Sequence, residues 1–235
     1  MRPRGAQGGV LVTRPEPGAA ETATRLTALG FTPILAPALL LAPRPLAPPS
    51  RAQALLLTSR AAARALQPWS IPVLAVGAAT AEAARAQGFS QVRAAEGDAM
   101  ALAALCTETL RPDDGPLLLA VGAAYSLDLT AQLRARGFRV IRRVVYAARE
   151  APALPDQAAA ALRAGQVSHA MFFSPRSAAC SLALLSRAGL AGALHSIEAL
   201  AISPRVASAL QALSWRRIRV ADRPDQDHLL ELLNP

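Results

Sequence analysis

A chain of 235 residues is long enough for two α/β domains of about 100 residues each, and its hydrophobic fraction of 52% excludes a disordered chain. All 25 basic residues are arginine, so the net charge of +9 arms the surface with planar donor forks suited to carboxylates and phosphates. Those arginines are scattered apart from Arg216, Arg217 and Arg219 and the pair Arg142 and Arg143. With no aromatic residues interleaved as stacking platforms, the pattern argues against nucleic acid and for a small acidic partner.

In chain order, the first apolar run, 9–13, reads as a strand and is too short for a signal peptide or a membrane span. A helix is predicted over 17–29, stopped by Gly30, and then a long strand over 33–41 that contains Pro33 and Pro37. Strands at 54–58, 72–76, 91–93 and 116–120 alternate with helices at 60–67, 79–87 and 97–110, and a helix over 126–136 stops at Gly137. A second long strand follows at 138–147, then a helix at 155–164, a strand at 168–173 and a helix at 176–188. The chain closes with strands at 197–202 and 217–220 and helices at 204–212 and 225–233. This alternation predicts an α/β fold of mostly parallel sheets covered by helices on both faces.

The chain also repeats itself. Leu26-Thr27-Ala28-Leu29-Gly30-Phe31 resembles Leu133-Arg134-Ala135-Arg136-Gly137-Phe138, and at the same spacing Val10-Leu11-Val12 falls on Leu117-Leu118-Leu119. Leu74-Ala75-Val76-Gly77 pairs with Leu200-Ala201-Ile202-Ser203, and Leu57-Thr58-Ser59 with Phe172-Phe173-Ser174. Two similar halves are expected. The two long strands would carry the chain between them, giving one discontinuous domain of 1–36 plus 148–235, a second of 42–141, and linker strands at 37–41 and 142–147.

Cys106 and Cys180 lie far apart, and His169, His195 and His228 are isolated, so neither a disulfide framework nor a metal site is expected. Together with the short first apolar run, this points to a reducing cytoplasm. No GxGxxG follows a strand, and with no lysine there is no phosphate loop, which removes a nucleotide-dependent enzyme. Chemistry is expected where strands turn into helices, because these turns gather at the carboxyl ends of a parallel sheet and present free N–H groups to anions. Five such turns carry small or hydroxyl residues: Thr58 and Ser59; Gly77, Ala78 and Thr80; Gly122 through to Ser126; Ser174, Pro175, Arg176 and Ser177; and Ser203 with Pro204. Thr13 and Arg14 end the first strand, and Arg14, Arg60, Arg176 and Arg205 are the nearest cations. The plainer reading of each hydroxyl is a helix N-cap, worth about 1 kcal/mol without any ligand.

Taken jointly and in order, several segments resemble the uroporphyrinogen-III synthase family. They are Val12-Thr13-Arg14-Pro15, Leu57-Thr58-Ser59, Val76-Gly77-Ala78-Ala79-Thr80-Ala81, Gly137-Phe138 leading to Val145-Tyr146, Phe172-Phe173-Ser174-Pro175-Arg176-Ser177 and Ala201-Ile202-Ser203-Pro204. The resemblance implies two similar parallel-sheet α/β domains joined by a two-stranded β linker, with a cleft between them. It implies a lyase without metal or organic cofactor, and nothing in the sequence demands more than a monomer. Such an enzyme closes the polycarboxylate hydroxymethylbilane to uroporphyrinogen III, inverting the last pyrrole ring through a spiro intermediate and losing water. Tyr146 matches a tyrosine that the family carries at the end of the second linker strand, and a phenol there could assist departure of the substrate hydroxyl.

The chain departs from the family pattern at two turns. Val121-Gly122 and Ser126 stand where members often carry Arg-Gly and a further arginine, and Ser203-Pro204-Arg205-Val206 stands for Gly-Pro-Thr-Thr. The alternative reading is a synthase-like binding or regulatory protein without turnover.

Overall fold

The computed structural model describes residues 7–47, 51–123 and 128–233. Its chain divides into two compact units, one formed by the residues up to Leu40 together with those from Arg149 onward, the other by Leu41–Ala148. The chain passes between them twice, within two strands.

The first unit holds a five-stranded sheet. Its strands are β1 (Gln7–Val12), β2 (Phe31–Leu35), β9 (Val167–Phe172), β10 (Glu198–Ala201) and β11 (Arg217–Val220), in spatial order β11-β10-β9-β1-β2. Every pairing in it is parallel. Each strand-to-strand step needs a crossover, and helices supply it: α1 (Gly18–Ala28) after β1, α7 (Pro175–Arg187) after β9 and α8 (Pro204–Leu210) after β10. Two further helices, α6 (Asp156–Arg163) and α9 (Gln226–Glu231), complete the cover. Side chains alternate between two cores. Leu11 faces Leu182, Leu185, Val206 and Leu210 of α7 and α8, whereas Val10 and Val12 face Leu26 of α1 and Leu229 of α9.

The second unit repeats this plan with β4 (Ala54–Leu57), β5 (Val73–Ala75), β6 (Val92–Ala94), β7 (Leu117–Gly122) and β8 (Val140–Glu150). Its helices are α2 (Arg60–Arg64), α3 (Ala78–Ala86), α4 (Ala99–Thr109) and α5 (Asp128–Ala135). Spatial order is β3-β8-β7-β4-β5-β6, where β3 (Leu39–Pro43) is an added edge strand. Leu55 and Leu57 face Ala62, Ala63 and Ala84 of α2 and α3, and Leu56 faces Leu102, Leu129 and Leu133 of α4 and α5.

The sequence repeat is a repeat of register. Leu11 pairs with Ile34 and Ala170 in one sheet, and Leu118 pairs with Ile141 and Leu55 in the other. Met171 opposite Leu200 corresponds to Leu56 opposite Leu74, and Leu200 opposite Arg219 to Leu74 opposite Arg93. Even the helix stops agree. Gly30 and Gly137 end α1 and α5 at φ +86 and +85, a left-handed turn that a Cβ would oppose, and each is followed by a buried Phe.

One expectation is corrected. The predicted strand 33–41 is two strands, β2 and β3. The backbone of Ala36 and of Ala38 still donates to Val12 and Thr13, but Pro37 between them has no N–H to give. Ala38 then changes partner: its carbonyl accepts from Ala151, and further along Arg44 donates to Val145. Numbers rise on one side as they fall on the other, so β3 runs antiparallel to β8. Two short helical turns, Pro112–Asp114 and Ala191–Ser196, lie outside the expected elements. No helix among the described residues is long and apolar enough to cross a membrane.

Candidate active site

In the second unit the polar turns collect at the carboxyl ends of β4, β5 and β7. Ser59 caps α2: its backbone is extended, φ −159 and ψ 153, and its Oγ accepts the Ala62 N–H at 3.1 Å. Thr58 precedes it, half-buried, and Arg60 opens the helix. Gly77 caps α3 with extended backbone and no side chain, so that a Cβ there would meet the Gly97 Cα at 3.2 Å. Ala78 is the first residue of α3 and exposed, whereas Thr80 is buried. Gly122 ends β7.

Tyr146 reaches this edge through an irregularity. Val121 of β7 pairs with Val144, but the next residue, Gly122, pairs with Tyr146, so β8 carries one extra residue there. A bulge of this kind re-aims a side chain that strict alternation would send elsewhere. The phenol consequently lies over Gly122, where a Cβ would come within 2.6 Å of Cζ and 2.7 Å of Oη. Its hydroxyl is 3.4 Å from the Ser59 Oγ. The structure thus brings Ser59, Gly122 and Tyr146 together; Gly77, Ala78 and Thr80 stand one strand further along the same sheet, after β5. Ser126 lies outside the described residues.

In the first unit the corresponding turns follow β1, β9 and β10. Thr13 is fully buried and its hydroxyl donates to the Met171 carbonyl at 2.7 Å, which ties β1 to β9. Arg14 stacks over Phe173, with its carbon centre 4.4 Å from the ring, and donates to Gln226 Oε1 at 2.7 Å and Thr22 Oγ1 at 3.4 Å. A ring face and an amide oxygen thus fix the guanidinium at the end of β1. Ser174 caps α7 as Ser59 caps α2, accepting the Ser177 N–H at 3.1 Å with φ −157 and ψ 151. Pro175 takes the first helical position, where no N–H is missed, Arg176 is exposed, and Ser177 is buried. Ser203 caps α8 without a side-chain bond, followed by Pro204 and exposed Arg205.

Groups with shifted ionisation lie elsewhere. Burial pushes the Cys106 thiol up to about 12 against the opposing pull of Arg136, and burial lowers His169. Both cysteines are free and buried. Among the described residues no group of three or more His, Cys, Asp and Glu could hold a metal ion. A concavity of about 580 Å³, lined by Gly8, Gly9, Thr32, Ile34 and Gln166, opens at the amino end of β1. Its size exceeds its relevance, because the helix starts that attract anions are at the opposite ends of these strands. Sequence reasoning located Tyr146 and Ser59 separately but missed their contact, since a bulge leaves no compositional mark.

An α/β protein of two parallel-sheet units, with its polar turns at the carboxyl ends of the strands, is the class these features define. A family model described as HEM4, Uroporphyrinogen-III synthase HemD, matches residues 20–231. The chain belongs to the uroporphyrinogen-III synthase family. Its fold is similar to that of uroporphyrinogen-III synthetase from Helicobacter pylori, with 17% identity over 96% of this chain and 98% of that one at a TM-score of 0.54. Uroporphyrinogen III synthases from Thermus thermophilus also match, a mutant form at 20% identity over 96% of each chain with a TM-score of 0.43. The wild-type form matches at 20% identity over 97% and 95%, with a TM-score of 0.38. Among curated protein sequences none matches.

Proposed function

We propose that this chain closes hydroxymethylbilane to uroporphyrinogen III, inverting the last pyrrole ring and releasing water. The family match over residues 20–231 supports the reaction, and the seat of Tyr146 at the carboxyl edge of its sheet carries the mechanism.

In the proposed reaction the pyrrole nitrogen expels the terminal hydroxyl, and the Tyr146 phenol supplies the proton that turns it into water. The methylene carbon so freed then bonds the substituted carbon of the last ring to give the spiro intermediate. The bridge bond already held by that carbon breaks, its methylene bonds the ring's unsubstituted carbon to complete the inverted macrocycle, and the proton displaced there returns to the phenolate. No electrons are gained or lost, so the proposed lyase needs no redox partner, and we assign it no metal or organic cofactor. Its greater task is to hold a flexible polycarboxylate so that the substituted carbon is the one attacked. Backbone N–H groups at Thr58, Ser59, Gly77, Ala78, Ser174, Arg176 and Ser203, with the side chains of Arg14, Arg176 and Arg205, are the proposed carboxylate contacts, and Thr13, Thr80, Gly122, Pro175 and Ser177 shape their turns. We further propose that the units are two domains, with 37–41 and 142–147 as the linker strands, in a cytoplasmic monomer.

Purified protein supplied with hydroxymethylbilane, followed by oxidation and separation of the porphyrin isomers, tests the reaction. Spontaneous closure yields only the type I isomer. Protein-dependent type III isomer is expected, and type I alone would overturn the assignment.

A further inference from the structure

We propose that Ser59 positions the phenol of Tyr146: the serine hydroxyl donates to Oη, and the phenolic proton is left pointing outward to the substrate. This deepens the acid role assigned to Tyr146 and rests on it.

A serine hydroxyl has one proton and two lone pairs. At Ser59 one lone pair takes the Ala62 N–H at 3.1 Å, so the remaining question is where the proton goes. The twin turn in the other unit answers it by contrast. Ser174 has the same backbone and the same cap, yet its Oγ donates to the Ser177 Oγ at 3.0 Å, and Ser177 Oγ passes its own proton to the Ser174 carbonyl. At the position equivalent to Ser177 the second unit has Ala62, which offers no acceptor. Tyr146 Oη lies within hydrogen-bond distance of the Ser59 Oγ, at 3.4 Å. Accepting the Ala62 N–H also polarises the serine O–H and strengthens it as a donor. Were the phenol to donate instead, its proton would be spent on the protein and unusable as an acid. Gly122 closes the seat from the other side, because its missing Cβ is what lets the ring lie flat there.

The test is a set of variants assayed for type III isomer in the native and the Tyr146→Phe backgrounds. Ser59→Gly removes the hydroxyl while keeping a residue that starts helices almost as well. It is expected to lower kcat about fivefold to tenfold, the size one neutral hydrogen bond supplies, with KM little changed. Ser59→Thr keeps cap and hydroxyl and should restore turnover. Ala62→Ser rebuilds the Ser174 arrangement, diverts the serine proton, and should lower kcat with the cap intact. In the Tyr146→Phe background all three should be silent, since there is no phenol to position. Equal effects in both backgrounds would overturn the proposal and mark Ser59 as a cap alone; so would full turnover in Ser59→Gly. A Raman difference spectrum between the protein and its Tyr146→Phe variant isolates the phenol's Fermi doublet, which reports whether the oxygen accepts. The doublet should change in Ser59→Gly, and an unchanged doublet would overturn the hydrogen bond itself. Full turnover in Tyr146→Phe would instead sink the acid role, separately from the spectrum.

Discussion

The strands β2 and β8 hold the same place in two sheets, and they end differently. Each lies at the flank of its twin strand in the same register, Leu11 against Ile34 and Leu118 against Ile141. Beyond that point β2 stops at Leu35: past Pro37 the Ala38 N–H still reaches Thr13, but the Ala38 carbonyl turns to the Ala151 N–H. At the equivalent place β8 has Val144, keeps pairing, takes in one extra residue and turns Tyr146 over Gly122. The repeated framework thus supplies two sets of helix starts, while the proposed reactive group stands where the repeat is broken. A duplicated scaffold is suited to holding a repetitive polyanion, and asymmetry is needed to single out one of its ends.

The largest effect is expected from filling the space that only the second unit leaves open. A methyl at Gly122 meets the ring carbon Cζ at 2.6 Å, a clash the aromatic ring cannot relieve by a small torsion. Gly122→Ala should either cost about 1–3 kcal/mol of stability, the usual range for overpacking, or push the phenol off the edge. In the second case turnover falls at least as far as in Tyr146→Phe. Thermal unfolding read beside type III formation separates the two, and a variant normal in both would remove the seat. Tyr146→Phe itself keeps the packing and should lower turnover by about tenfold to a few hundredfold with little change in KM, at or below the range for a positioned acid.

A smaller effect distinguishes the twin caps. Ser59 and Ser174 accept equivalent N–H groups at the same 3.1 Å, so Ser59→Ala and Ser174→Ala should each cost about 1 kcal/mol of stability. Their kinetic effects should part. Ser59→Ala lowers kcat through the phenol, and Ser174→Ala raises KM, because its turn is proposed to hold a carboxylate throughout the reaction. Equal changes in kcat from both would erase the distinction between the units.

Element order and the repeat were legible in the sequence because both rest on local signals, apolar runs of strand length and Gly-Phe stops such as Gly30-Phe31 and Gly137-Phe138. Serines before helices were legible as caps. The split of 33–41 was not, because Leu39, Leu40 and Leu41 continue the apolar run and only long-range pairing shows that Ala38 changes partners. Nor was the commitment of the Thr13 hydroxyl to Met171, which depends on a neighbour 158 residues away. The bulge before Tyr146 escaped for the same reason: Val144, Val145 and Tyr146 read as an unbroken strand, and the extra residue exists only relative to β7.

The smallest expected effect concerns a second pair of equivalent caps, after β6 and β11. Asp98 accepts the Ala101 N–H at 2.7 Å and Asp225 accepts the His228 N–H at 3.0 Å, but only in the second case does the residue three along carry an imidazole. The His228 Nδ1 lies 2.7 Å from the same carboxylate. Hydrogen bonds from the His228 backbone and then its ring hold Asp225 below the ordinary 3.8, and the bond to Asp225 raises His228 above the ordinary 6.5. The two shifts bound a window from opposite sides. The lowered carboxyl contributes stability above 3.8 and loses it as pH falls through the folded-state value; the raised imidazole contributes below 6.5 and loses it as pH rises through its own. The ion pair is therefore complete between those two ordinary values. The difference in Tm between the protein and His228→Gln should be largest there and shrink on both sides, and raised salt should reduce it, since the pair is exposed. Asp98→Asn, at a cap with no imidazole beside it, should show no such shrinkage at the upper limit. A Tm difference for His228→Gln that stays constant from about pH 5 to about 9, well past the ordinary imidazole range, would mean that the ring packs against α9 without sharing its proton with Asp225.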